Sequence, residues 1–69
     1  MKIEEVHKKA IESTRQLVQI YQKYVRDGEK EIEREEDECF KKYIARTVDE
    51  YKEKLSTQLY ILRKLTNAD

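Results

Sequence analysis

Phe40, Ile44, Val48, Tyr51, Leu55, Leu59 and Leu62 recur at steps of four, four, three, four, four and three. That spacing is one face of an α-helix, sustained over more than six turns, and Leu65 extends it. A stripe of this length has to be laid against something, so whatever else the chain does, it folds around a long helix.

The composition supports an all-helical reading. Charged residues make up 43% of the chain, proline is absent and Gly28 is the only glycine. Glu, Lys, Leu, Gln and Arg, all good helix formers, dominate. The apolar residues are periodic and not scattered, which separates the chain from disordered sequences of similar charge. Sixty-nine residues make one domain, 1–69. A core of that size supplies only about 3–5 kcal/mol by itself, and small domains add a disulfide, a metal or a partner. With one cysteine, Cys39, and one histidine, His7, the first two are out of reach. Helix packing and self-association remain.

In the first third, Ile3, Val6, Ala10, Ile11, Leu17, Val18, Ile20, Tyr21, Tyr24 and Val25 form a broad apolar stripe, with Thr14 in its middle. Glu4–Lys8 and Glu5–Lys9 are favourable pairs one turn apart. These features predict a helix over about 2–26. Arg26-Asp27-Gly28 then reads as a helix stop, because glycine adopts the left-handed conformation cheaply. A second helix is expected over about 29–66. Residues 27–38 carry eight acids and two bases, a net charge of minus six, while 1–26 and 39–69 each come to plus three. Acids suit the start of a helix. Thr47-Val48-Asp49-Glu50 has a capping pattern, but the stripe crosses it unbroken.

Helices of these lengths span roughly 37 and 57 Å. Folded back at Gly28, the second would overhang by about thirteen residues that carry Leu55, Leu59, Leu62 and Leu65, the part of the stripe expected to make the contact with another protein. The expected architecture is therefore an all-α antiparallel hairpin that self-associates as a dimeric four-helix bundle, with Phe40, Ile44, Val48, Tyr51, Leu55, Leu59, Leu62 and Leu65 as its interface. The average step of about 3.67 residues favours long, nearly straight helices. The layout resembles that of small two-helix proteins such as the plasmid copy-number regulator Rop. The likeness is one of layout, so no binding residue or activity carries over.

Single residues are read structurally. The five tyrosines fill core or interface, with Tyr51 buried and Tyr60 outside. His7 takes a structural or solvent role, and Cys39 is small buried filler, with a cross-subunit disulfide as the alternative if two copies meet there. Glu33 and Asp37, projected onto the second helix, continue its stripe as carboxylates. With Glu29 they make an acidic, charge-selective tip, for which Lys23 and Arg26 are natural counter-charges. The Glu-x-x-His motif of di-metal bundles is absent.

These residues lead to a non-enzymatic interaction module, a small adaptor, regulator or chaperone-like protein that forms a homodimer and binds another protein. The alternative is a nucleic-acid-binding regulator using the basic helix faces. Acids at Glu12, Asp49, Glu50 and Glu53 interrupt those faces, and net charge is zero. No catalytic residue, cofactor or metal site is expected. No apolar run reaches the ~20 residues of a membrane span, so no membrane partner is expected. The opening Met1-Lys2-Ile3-Glu4-Glu5 lacks the apolar core of an export signal. With a single cysteine, this suits a cytoplasmic location.

Overall fold

The computed structural model describes residues 3–67. It is an all-α antiparallel hairpin of two helices, α1 (Ile3–Arg34) and α2 (Glu38–Asn67), packed along their whole length. The start expected at residue 2 lies outside the described residues. The absence of a break at Thr47 is borne out: α2 is continuous, and the Thr47 hydroxyl donates to the Tyr43 carbonyl inside it at 3.1 Å.

The turn is not where the glycine predicted it. Helix α1 runs through Gly28 and six residues further, and Gly28 does not have positive φ. Its reason for being glycine is size. A Cβ built there would collide with Val48 Cγ2 of α2. A helix-interior glycine costs about 1 kcal/mol relative to alanine. That cost is outweighed here by the close approach of the second helix.

The chain reverses at Glu35, Glu36 and Asp37 instead. The Glu35 N–H still donates to the Glu31 carbonyl at 2.9 Å, the last bond of α1. Asp37 then caps α2. Its Oδ1 accepts from the Cys39 N–H at 2.9 Å and the Phe40 N–H at 3.3 Å, and its carbonyl accepts from the Lys41 N–H at 2.8 Å. An aspartate in this position satisfies donors that the first turn otherwise leaves unpaired. Glu35 Oε1 accepts from the Asp37 N–H at 3.2 Å and tightens the reversal.

Moving the turn removes the overhang. The helices contain 32 and 30 residues, so they span about 48 and 45 Å. The result is a rod with extents of 53 × 15 × 14 Å. At its open end, His7 Nε2 lies 2.8 Å from the Leu65 carbonyl oxygen. The last turn of α2 is therefore tied to the start of α1, and Leu55, Leu62 and Leu65 are half-buried alongside it.

The inner seam is finer than the stripe suggested. In α1 the line of least exposure runs through His7, Ile11, Thr14, Val18, Tyr21, Val25, Gly28 and Ile32. In α2 it runs through Lys41, Ile44, Val48, Tyr51, Leu55, Gln58, Leu62 and Leu65. Both alternate steps of three and four, a seven-residue repeat and not a 3.67-residue one. Lys41 and Gln58 take the places expected for Phe40 and Leu59, which sit on the flanks. Long polar side chains can hold such positions by laying their stems along the seam.

Burial is shallow even so. Among the described residues, only Thr14, Val18 and Val48 are buried. The Thr14 hydroxyl is satisfied by donating to the Ala10 carbonyl at 2.7 Å. Burying a valine contributes roughly 1.5–3 kcal/mol, so two of them make a slender core. The accessible surface is 6025 Å². A compact monomer of 8.4 kDa would expose about 4,600 Å².

Candidate interaction surfaces

The seam divides the rod into two flanks. Side chains around Tyr51 show which columns share a flank. Tyr51 packs on Tyr21 across the seam, with ring centroids 5.8 Å apart. Tyr24 stands beside it at 5.0 Å, and Lys54 Nζ lies 5.2 Å from the same ring. Tyr24 and Lys54 therefore border one flank. The other carries the Lys52–Glu29 ion pair, at 3.7 Å.

The Lys52–Glu29 flank is polar. Two open grooves run along it, one of about 420 Å³ lined by Gln22, Val25, Arg26, Glu29 and Leu55. The other, of about 510 Å³, is lined by Arg15, Leu59, Leu62, Arg63 and Thr66. Both are walled by charged side chains, and neither gathers a nucleophile beside a base. Among the described residues, no three His, Cys, Asp or Glu side chains come together as a possible metal site. No helix among them is long and apolar enough to cross a membrane.

The Tyr24 flank is apolar. On α1 it presents Ile3, Val6, Ala10, Ser13, Leu17, Ile20 and Tyr24, again at alternate steps of three and four. On α2 it presents Phe40, Tyr43 and Ile61. Among the described residues, all the exposed large apolar side chains belong to this flank except Leu59 and Tyr60. Ile3 is 86% exposed, and Val6, Leu17, Ile20 and Tyr24 lie between 36% and 48%. The broad stripe of the first third is thus two seams on one helix: one turned to α2, the other to solvent.

The residues expected to form an intermolecular interface divide accordingly. Ile44, Val48, Tyr51, Leu55, Leu62 and Leu65 line the intramolecular seam, with Val48 only 4% exposed. Phe40 and Leu59 face outward at 47% and 44%, on opposite flanks. Phe40 stacks on Tyr43, centroids 5.9 Å apart, near the turn. Tyr60 is outside the seam as expected, at 60% exposure.

The acidic tip is rearranged. Glu33 lies exposed in the last turn of α1, while Asp37 caps α2, so the two do not extend one helix stripe. The reversal between them breaks the phase that a single helix would have kept. Glu29 lies about two helical turns back from the reversal, and its counter-charge is Lys52, not Lys23 or Arg26. Cys39 is exposed and not buried filler, because the cap sets it on the outside of the first turn of α2. His7 has the structural role expected of it, through the Leu65 carbonyl.

Comparison of the chain with protein families, curated proteins and solved structures returned no match.

Proposed function

We propose that this chain is a non-enzymatic helical interaction module, a small adaptor, regulator or chaperone-like protein that works by self-association and by binding protein. The observation that carries this reading is the one-sided apolar flank. A monomer rarely leaves a continuous row such as Val6, Leu17, Ile20 and Tyr24 in water without a partner for it. The basic side chains do not assemble into a rival surface, since acids interleave with them and Lys52 is paired with Glu29.

The contact is thus assigned to α1 and the turn-proximal Phe40–Tyr43 pair, not to the leucines of α2. The paired state is a bundle of four helices, and a reducing cytoplasm suits a protein whose one thiol, Cys39, is exposed.

Light scattering on the native chain tests the reading. The expected mass is twice 8.4 kDa or more. Leu17→Glu should return it to 8.4 kDa with helicity retained, because Leu17 lies outside the inner seam. A wild-type monomer that is fully helical and that binds no protein would defeat the proposal. Flow-through on heparin at physiological salt is expected, and retention would favour nucleic acid instead.

A further inference from the structure

We infer that the groove between Arg15 and Arg63 receives a segment of another protein that carries carboxylates beside apolar side chains. The inference rests on the protein-binding part of the proposed function. It adds a second contact, on the flank opposite Tyr24, and the chemistry of what fills it.

The two grooves of the polar flank differ in one respect. Each sets an arginine beside a leucine. In the first, Arg26 and Leu55 share the groove with Glu29, which also pairs with Lys52 at 3.7 Å. That groove already contains its carboxylate. In the second, Arg15 of α1 and Arg63 of α2 stand with Leu59, Leu62 and Thr66, and no carboxylate lines it. Among the described residues, neither arginine forms an ion pair. Glu12 is the one acid within a helical turn of either arginine along its own helix, and residues 54–67 hold three bases and no acid. The field in the second groove is therefore positive and unanswered by its lining.

The lining also says what kind of anion fits. The Thr66 hydroxyl is turned back on its own helix, 2.9 Å from the Leu62 carbonyl oxygen and 3.3 Å from that of Arg63. The two guanidinium groups remain as the donors of the groove. A guanidinium holds a carboxylate through two parallel N–H bonds, a geometry that a lysine does not reproduce. Between them lie Leu59, 44% exposed, and the half-buried Leu62. Leu59 is thus an exposed apolar side chain set among cations, and it needs an apolar neighbour that brings negative charge with it.

A polypeptide segment meets both demands. The groove is open along the rod, so a small molecule would keep much of its surface in water, unlike the enclosed sites that hold such ligands. Nucleic acid calls for a longer track of cations and for aromatic faces on which bases stack. This groove offers two cations over leucine and no aromatic side chain.

Selection of a random-peptide display library on the native chain tests the inference. Recovered peptides are expected to carry Asp or Glu next to Leu, Ile or Phe. Their affinity, read by fluorescence polarisation, should fall about ten-fold with Arg15→Gln or with Arg63→Gln, the worth of one charge-assisted contact. It should also weaken as salt is raised. Lys64→Gln removes an exposed charge that lies outside the groove, over the Tyr60 ring, and should leave affinity unchanged. So should Leu17→Gln, on the other flank. Equal losses in all three charge variants would reduce the effect to net charge and overturn the inference. Loss with Leu17→Gln alone would move the peptide to the Tyr24 flank and overturn it too. An empty selection would also overturn it, with the light-scattering result and the self-association it reads left standing. Binding of a single-stranded oligonucleotide that the arginine substitutions abolish would give the groove to nucleic acid instead.

Discussion

Gly28 and Val48 meet across the helix pair so closely that a Cβ at residue 28 would collide with the Val48 Cγ2 methyl unless that side chain moved. The relationship joins a residue that weakens its own helix to the least exposed of the three buried residues among those described. It makes an unusual prediction, because the substitution that ordinarily strengthens a helix should here weaken the protein. Gly28→Ala gains about 1 kcal/mol of helix propensity. It also forces an overpacked contact costing about 1–3 kcal/mol. The expected net loss is about 1 kcal/mol, read from the urea midpoint. Val48→Ala alone should cost about 2 kcal/mol by opening a cavity. Combined, the two should cost less than their separate effects added, since each accommodates the other. Simple additivity would show that residues 28 and 48 are not coupled.

Asp37 should behave as a cap and not as part of a recognition surface. Asp37→Ala is expected to lose about 1 kcal/mol, and Asp37→Asn only a fraction of that, because an amide oxygen can still accept from the Cys39 and Phe40 N–H groups. Equal losses in both variants, followed by chemical denaturation, would mean that charge and not capping is what matters at this position.

His7 closes the open end of the rod. His7→Phe removes its contact with the Leu65 carbonyl but keeps the ring. Hydrogen exchange should rise selectively for amides in the last two turns of α2, with an opening free energy lowered by about 0.5–1.5 kcal/mol. Amides beside the turn should be unaffected. A uniform rise along both helices would point to a global role.

The Glu29–Lys52 pair should matter little. Both side chains are about half exposed and 3.7 Å apart, a geometry that contributes up to about 1 kcal/mol and less in salt. Glu29→Gln is expected to shift stability by under about 0.5 kcal/mol. A larger loss that persists at high ionic strength would contradict a surface pair.

The hairpin, its all-helical class and the unbroken course of α2 were legible in the spacing of Ile44, Val48, Tyr51, Leu55 and Leu62. The turn was not, for two physical reasons. Glycine punctuates chains through its conformational freedom and also admits close packing through its lack of a side chain, and sequence alone does not say which use is in force. The real signal, Asp37 just ahead of Phe40, stood within a run of acids where one carboxylate looks like another. Misplacing the turn made α2 seem too long, and that created an overhang whose leucines appeared to need a partner. The outer seam was hidden differently. Ile3, Val6, Leu17, Ile20 and Tyr24 are interleaved with Ile11, Val18, Tyr21 and Val25, and together they look like one wide face. Only the position of α2 separates the row that is covered from the row that is not.

The extents of 53 × 15 × 14 Å have a hydrodynamic consequence. The Cα radius of gyration is 15.9 Å, against about 11 Å for a compact chain of this length. A lone hairpin would tumble and diffuse like a globule of considerably greater mass. On a gel-filtration column calibrated with round proteins, the monomer would elute ahead of its true mass of 8.4 kDa, so elution position by itself would overstate its size.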